Sequence, residues 1–318
     1  MRVRLGLVAA LLVVGGCANP PPNTGSLWHG GQLTIGTGPT TGVFYQVGGG
    51  YADIISAYLD GYDASAAATA GAADNILRLA AGDIDVAFTF ADVGADAVHG
   101  RGVFTSPQRI EALAAIYRSY THLIVRTDSG VTKVADLEGK RVSTGPVNSG
   151  TETMALRILT AVGIDPNRDV QRRSLSLAAT TRGIVDGSLD AMFYTAGLPT
   201  TGVTELLNAA RNSIRFLPLT AALPGLEKSY PGTYVPATIP RAVYEIAADV
   251  PTVAVSNMIV VSDDMPDDLA YALTRLIFAH QRELAQTHPE WGNVQRDVAH
   301  QTGAVTLHPG ANRYYRGG

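Results

Sequence analysis

The sequence predicts an α/β protein made of two similar lobes, and two observations lead to this prediction. Strand-like and helix-like patterns alternate through much of the chain, which is typical of α/β architecture. Segments 81–90 and 186–195 also share one pattern, in which a helix end, a glycine and an acidic turn precede an apolar strand. We interpret these two segments as equivalent units of the two lobes.

The N-terminus predicts export from the cytoplasm. Arg2 and Arg4 precede an apolar stretch, Leu5 to Val14, which is too short to span a bilayer. A basic start followed by a short apolar run is typical of a secretory signal peptide, which we assign to residues 1–16. Later apolar runs in the sequence also fall short of the roughly 20 residues that a membrane-spanning helix needs.

Cys17 is the single cysteine of the chain and a predicted lipidation site. Gly15 and Gly16 precede it, and this ending resembles the lipobox of bacterial lipoproteins, in which the cysteine carries the lipid. Residues 17–30 then form a polar, proline-rich tether. A lipid chain and a tether predict an exported body anchored at the cell membrane or in the cell envelope, on the extracytoplasmic or periplasmic side.

Alternating elements follow along the body of the chain. Short apolar runs bounded by glycine and polar residues predict strands, and longer runs with helical spacing predict helices. The predicted strands are 33–36, 84–90, 109–117, 122–126 and 141–144. The predicted helices are 43–59, 75–81, 151–162 and 271–284, the last of them as one long amphipathic helix.

Glycine and aspartate recur at matching places in the two equivalent units. Gly82 and Gly187 are predicted to end their helices in the left-handed conformation. Asp85 and Asp190 are expected to hold the turns that follow rather than to take part in chemistry.

The strands of the two equivalent units point to a common crevice. Ligands of open α/β sheets bind beyond the carboxyl ends of the strands. Residues 88–92 and 193–197 lie at those ends, and they are therefore candidate walls of one cleft.

Two glycine-rich turns predict a site for a small anion. Residues 36–42 precede a predicted helix but lack the spacing of a dinucleotide fingerprint and the Lys-Ser/Thr pair of a P-loop. One of the threonines at 40–41 is expected to cap that helix. The second turn, residues 143–152, holds Ser149 and Glu152 at the spacing of a capping box. Either turn by itself could simply start a helix, but two helix N-termini facing one crevice would suit a carboxylate.

Other classes of function receive little support from the sequence. With 24 Lys and Arg against 28 Asp and Glu residues, a basic nucleic-acid surface is not favoured. The sequence contains neither the G-x-S-x-G nucleophile elbow nor the H-E-x-x-H zinc motif, and its seven histidines are scattered. His122 and His308 are interpreted as structural. We therefore predict no enzyme, no metal site and no cofactor.

Short blocks in a fixed order along the chain then point to a family. They lie at 35–38, 42–45, 73–85, 136–143, 148–152, 186–193, 196–199, 249–255 and 308–315. Together they resemble the TAXI family of solute receptors, the substrate-binding components of TRAP transporters, over roughly residues 33–317. The resemblance implies a two-lobed periplasmic binding protein-like fold of type II, a Venus flytrap with its ligand cleft between the lobes. It also implies a small carboxylate ligand such as glutamate, glutamine or 2-oxoglutarate, and a TRAP-type membrane permease driven by an ion gradient.

Carried over to this sequence, the resemblance places ligand contacts in both glycine-rich turns and at the strand ends. The first loop departs from the family pattern at Phe44 and Gln46. Tyr45 and Tyr194 have an alternative interpretation as core aromatics, and Asp92 either holds a ligand ammonium or caps the segment after it. The predicted ligand-binding residues are Gly38, Thr41, Gly42, Phe44, Tyr45, Phe90, Asp92, Asn148, Ser149, Gly150, Thr151, Tyr194 and Gly197.

The predicted function is that of a monomeric, lipid-anchored solute receptor that closes on a small carboxylate and delivers it to the permease. The predicted lobes are residues 31–121 with 237–318, and residues 122–236. The alternative is a sensor that presents its closed form to a signalling partner. An enzyme on the same fold would need a nucleophile and a base, for which the sequence offers no candidates.

Overall fold

A computed structural model describes residues 27–317. The predicted signal peptide, Cys17 and most of the tether lie outside the described residues. The strands are β1 Gln32–Gly36, β2 Asp63–Ala67, β3 Val86–Phe90, β4 Ile110–Arg126, β5 Arg141–Ser143, β6 Gln171–Arg173, β7 Ala191–Ala196, β8 Ile214–Leu217, β9 Tyr234–Ile239 and β10 Val250–Ser262. The helices are α1 Val43–Tyr58, α2 Ala72–Ala81, α3 Ala91–His99, α4 Gly150–Ala161, α5 Leu177–Asp186, α6 Thr201–Ala210, α7 Leu223–Ser229, α8 Arg241–Tyr244, α9 Asp267–Ala279, α10 Gln281–Thr287, α11 Arg296–Ala299 and α12 Pro309–Tyr315.

Two long antiparallel strands join the two lobes of the molecule. The strands follow the order β2-β1-β3-β10-β4-β7-β5-β6, with β8 beside β4 and β9 beside β10. The carboxyl-terminal half of β10 pairs with β3, whereas its first half pairs with β9. Conversely, the second half of β4 pairs with β7 and β8. Lobe 1 is therefore built around β1–β3 and lobe 2 around β5–β7, and each lobe contributes parallel strands to one mixed sheet.

The two lobes share one local arrangement, in which an aspartate three residues after a left-handed glycine bonds to the neighbouring strand. Gly82 and Gly187 adopt the predicted left-handed conformation, with φ of 76° and 81°. The Asp85 carboxylate accepts a hydrogen bond from the Thr34 N–H on β1 at 2.6 Å. The Asp190 carboxylate accepts one from the Arg141 N–H on β5 at 2.8 Å. Each aspartate is structural, as predicted, but it ties down the neighbouring strand rather than its own turn.

The structure corrects the prediction of two strands at 109–117 and 122–126, because β4 is continuous. Ser119 and Thr121, which lie between the two predicted strands, are buried inside the sheet. Their hydroxyls bond to Asn257 and Thr195 at 3.0 Å each. A buried polar group is tolerated when it is hydrogen-bonded, so this polar stretch continues the strand.

The predicted helix 271–284 is wrong in a similar way, because the chain breaks at His280 between α9 and α10. The break lets the Gln281 side chain donate to the Trp291 and Val294 carbonyls. The fully buried Trp291 donates in turn to the Val47 carbonyl of α1 at 3.2 Å. Tertiary packing against α1 therefore overrides the helical pattern of this segment.

The capping predictions are confirmed in one lobe and wrong in the other. Ser149 is the N-cap of α4, and its hydroxyl accepts from the Glu152 N–H at 3.0 Å. Gly42, rather than a threonine at 40–41, is the N-cap of α1, and it makes no side-chain cap. The Gly42 N–H instead donates to the Pro39 carbonyl at 2.7 Å, which closes a tight turn before the helix.

Candidate functional site

A cavity lies between the lobes at the carboxyl ends of β3 and β7. Its void measures about 490 Å³ with its open mouth included. The described residues that line it are Gly38, Pro39, Gly42, Val43, Phe44, Ala70, Gly71, Ala72, Phe90, Ser119, Pro146, Ser149, Gly150, Thr151, Leu177, Tyr194, Thr195, Ala196 and Gly197.

Helix N-termini from both lobes open into this cavity. α1 and α2 of lobe 1 begin at it through Gly42 and Gly71, and α4 of lobe 2 begins at it through Ser149. The first N–H groups of a helix have no acceptor within the helix, and the helix dipole adds positive potential there. α1 has no side-chain cap, whereas the Ala73 and Asp74 N–H groups at the start of α2 donate to the Asn148 carbonyl. The N-termini of α1 and α4, one from each lobe, therefore favour an anion in the cavity.

Tyr194 adds a hydroxyl to the same place from β7. Its side chain is only 7% exposed, and within residues 27–317 its hydroxyl makes no hydrogen bond. The oxygen lies 2.9 Å from the position that a Cβ on Gly42 would occupy, so it points at the start of α1. Burial, followed by the nearby Tyr244, raises the pKa of Tyr194 well above its ordinary value. The hydroxyl therefore remains protonated and is free to donate to a ligand.

Aromatic and aliphatic side chains form the rest of the wall. The rings of Phe44 and Phe90 meet edge to face with centroids 5.5 Å apart. Leu177 closes the cavity from the start of α5. Apolar walls lower the local dielectric constant, which strengthens each hydrogen bond and each dipole inside the cavity.

The structure brings together most of the residues that were predicted to bind a ligand. It places Gly38, Gly42, Phe44, Phe90, Ser149, Gly150, Thr151, Tyr194 and Gly197 on the cavity wall. Thr41, Tyr45, Asp92 and Asn148 lie off this wall.

Asp92 is a correction, because other protein groups occupy its carboxylate. It is 1% exposed and accepts from Arg157 at 3.0 Å and from the Tyr234 hydroxyl at 2.7 Å. It also accepts from the N–H of Val93 at 2.8 Å. The two sequence-based alternatives were a ligand ammonium site and a cap. The structure shows neither, because the N-cap of α3 is Phe90 and the Asp92 carboxylate is held by Arg157 and Tyr234.

Asn148 and Thr41 join the lobes instead of lining the cavity. Asn148 has a φ of 64°, and its carbonyl accepts from the Ala73 and Asp74 N–H groups at the start of α2. The Thr41 carbonyl accepts from the Gly202 N–H at 3.3 Å. Both contacts run from one lobe to the other, so the cleft is closed in this structure. Tyr45 is partly buried in the first turn of α1.

Sequence reasoning missed several lining residues for a physical reason. Gly71 precedes a predicted helix, so its position could have been noticed as another helix N-terminus. Ser119 and Leu177 carry no local signal, because only the pairing of the long strands and the docking of α5 bring them to the cavity. Val43, Ala70 and Ala72 were also missed. Pro39, Pro146, Thr195 and Ala196 lie in the predicted turns and wall segments but were not among the predicted ligand contacts.

Charged side chains and metal-binding clusters are both missing from the described part of this site. The described residues that line the cavity are all uncharged. Within residues 27–317, the structure holds no cluster of three His, Cys, Asp or Glu side chains that could bind a metal ion. In the same range, none of the helices has the length and apolar character needed to cross a membrane.

The fold is that of two-lobed periplasmic substrate-binding proteins. The chain matches the NMT1-like family over residues 35–317 and belongs to that family. It is similar in structure to the alkanesulfonate-binding protein SsuA from Xanthomonas axonopodis pv. citri bound to MOPS, with a TM-score of 0.51, 16% identity, and coverage of 90% of this chain and 83% of that one.

Two further solved structures share the architecture. One is a binding protein component of an ABC phosphonate transporter from Pseudomonas aeruginosa, with a TM-score of 0.54, 13% identity, and coverage of 83% of this chain and 80% of that one. The other is an ancestral arginine-binding protein bound to arginine, with a TM-score of 0.50, 12% identity, and coverage of 82% and 98%. At these identities the similarity shows the fold alone.

Proposed function

We propose that this protein is an extracytoplasmic receptor that captures a small organic anion, a carboxylate, between its lobes. The observation that carries the proposal is the meeting of the N-termini of α1 and α4 with the Tyr194 hydroxyl in one cavity. Because α1 belongs to lobe 1 and α4 to lobe 2, a bound anion would bridge the lobes. Such a ligand stabilises the closed form, which is how hinge-closing binding proteins respond to their solutes.

The proposal includes delivery of the solute to a membrane permease. The sequence blocks described above resemble receptors of TRAP-type permeases, whereas one structural relative is a component of an ABC transporter. Family membership supports a role as a solute receptor, and the resemblance supports a TRAP-type partner. The predicted signal peptide and Cys17 support anchorage at the outer face of a membrane.

The experiment is a binding screen on the purified protein. We would measure thermal shifts with 2-oxo acids, dicarboxylates and amino acids, with neutral sugars as controls, and confirm each hit by calorimetry. A ligand that binds only the folded protein raises its melting temperature by mass action. We expect at least one carboxylate to raise it. A protein that responds to a sugar and to no carboxylate would contradict the anion site.

Substitution of Tyr194 by phenylalanine tests the same site directly. A hydrogen bond to a charged group contributes about 1.5–3 kcal/mol, so Tyr194→Phe should weaken carboxylate binding roughly tenfold or more. Tyr45→Phe is the matched control, since Tyr45 lies off the cavity wall, and it should bind as the unchanged protein does. Equal affinities for the two variants would remove Tyr194 from the site.

A further inference from the structure

We infer that the cavity selects organic anions that carry no ammonium group, so that 2-oxo acids bind and the matching amino acids do not. This inference rests on the proposed function, because it refines the class of carboxylate that the same cavity takes. Its first support is the absence of any charged side chain among the described residues of the wall. The helix N-termini supply positive potential, which attracts a carboxylate and repels an ammonium.

Each acidic side chain around the cavity is already engaged by the protein. The Asp74 carboxylate, in the first turn of α2, accepts from the Ala70 N–H and from Arg78. The Glu152 carboxylate, in the first turn of α4, accepts from the Asn148 N–H at 2.9 Å.

The remaining two acids are also occupied. Asp92 is held by Arg157 and Tyr234. Glu290 lies behind Gly197, where it accepts from the Leu198 N–H at 2.6 Å and from the Asn293 side chain at 2.8 Å. None of the four carboxylates lines the cavity, so an ammonium there would lack an anionic partner.

The energetic consequence is large, because an unpaired charge is costly to bury. Phe44, Phe90 and Leu177 give a bound ammonium no hydrogen-bond acceptor. The face of a phenylalanine ring attracts a cation only weakly, and this attraction does not replace the lost hydration of an ammonium. A 2-oxo acid presents a neutral carbonyl at the same carbon. The Thr151 hydroxyl, whose oxygen accepts from the Thr195 N–H at 3.1 Å, keeps its proton to donate to such a group.

The test uses ligand pairs that differ only in this group. Pyruvate is compared with alanine, 4-methyl-2-oxopentanoate with leucine, and 2-oxoglutarate with glutamate, by calorimetry on the purified protein. We expect at least one pair in which the 2-oxo acid binds about 100-fold more tightly than the amino acid. Equal binding, or tighter binding of the amino acid, would overturn the inference while leaving the carboxylate receptor intact. A response to sugars alone, or to nothing in the panel, would overturn both.

A variant with an added carboxylate should reverse the preference. Ser119 lies on the wall beside Asn257, whose Nδ2 makes no hydrogen bond within the described residues. Ser119→Asp places an acid in the cavity, where that amide can donate to it. We expect the 2-oxo acid to bind at least tenfold more weakly and the amino acid to gain affinity, whereas the neutral control Ser119→Asn leaves the order unchanged. A folded Ser119→Asp protein with unchanged selectivity would count against the inference. If it does not fold, the ligand pairs decide by themselves.

Discussion

His122 shows at the residue scale how a buried polar group is satisfied. It is fully buried on β4, with Nδ1 at 3.0 Å from the Tyr194 carbonyl and Nε2 at 3.2 Å from the Tyr244 hydroxyl. A neutral imidazole can donate from one nitrogen and accept at the other, which matches these two partners. Burial lowers the pKa of His122 from 6.5 to about 4. The predicted structural role therefore agrees with the observed contacts.

This pKa shift predicts a loss of stability in mild acid. The unfolded chain takes up a proton near pH 6.5, whereas the folded protein does so only near pH 4. The contribution of His122 is complete above pH 6.5 and is lost as the pH falls towards 4, by about 3 kcal/mol in all. We expect His122→Gln to be less stable at pH 7 but flatter in its pH dependence over this window.

Urea denaturation at a series of pH values measures the effect. The exposed His99, changed to Gln, is the control and should leave the slope of stability against pH unchanged. Parallel curves for the unchanged protein and His122→Gln would show that another group controls the acid response.

At the element scale, α3 of lobe 1 and α4 of lobe 2 are joined by a buried ionic cluster. Arg157 on α4 bonds to both Asp92 and Asp96 on α3 and to the Tyr234 hydroxyl. Its guanidinium also lies 4.1 Å from the centre of the Tyr230 ring. The Asp92 side chain is 0% exposed and that of Arg157 only 10%, so the charges depend on each other.

Removing the cation from this cluster should destabilise the fold strongly. Breaking a buried pair by removing one partner leaves an unpaired buried charge and costs about 3–5 kcal/mol. We expect Arg157→Met to lose a similar amount in chemical denaturation of the unliganded protein. Arg168→Met is the control, because Arg168 is 76% exposed and pairs with Asp169 at the surface, where such pairs contribute about 0–1 kcal/mol. Similar losses in the two variants would show that the cluster is not buried in solution.

At the scale of the whole molecule, closure depends on close contact between the lobes. A Cβ on Gly150, at the start of α4, would lie 2.4 Å from the Phe90 ring at the end of β3. Real Cβ atoms do not approach so closely, so Gly150→Ala would hold the lobes apart. A Cβ on Gly49, inside α1, would meet nothing within 4 Å.

Ligand-dependent compaction measures this closure. We expect a carboxylate identified in the screen to reduce the radius of gyration of the unchanged protein, measured by small-angle X-ray scattering. Gly150→Ala should bind it at least tenfold more weakly and show no compaction. Gly49→Ala should bind and compact normally, and it should gain about 0.5–1 kcal/mol of stability because alanine favours a helix interior. Normal compaction in Gly150→Ala would contradict the closed arrangement of the lobes.

The lobe boundaries at 121/122 and 236/237 remain predictions. The first falls within β4 and the second within β9, and the strand pairing shows that β4 serves both lobes. Local patterns cannot assign such a strand to one lobe, because its two halves differ in their partners and not in their residue types.

Several features of the structure could be predicted because they depend only on residues close together in the chain. Alternation of elements, the left-handed glycines at 82 and 187, the Ser149 cap and the glycine-rich turns that begin α1 and α4 could all be recognised from short stretches of chain. These features arise from backbone sterics and from hydrogen bonds between residues a few positions apart.

Which polar groups remain free to bind a ligand depends on how the two lobes pack together, and the sequence does not reveal it. Asp92 follows β3 and Tyr194 lies within β7. Arg157 and Tyr234 hold the Asp92 carboxylate, whereas Tyr194 keeps a hydroxyl in the cavity that bonds to none of the described residues. Arg157 and Tyr234 lie far from Asp92 along the chain, so no local sequence pattern predicts that they bond to it. The physical reason is that burial and charge pairing are properties of the packed lobes, and they appear only when distant segments meet.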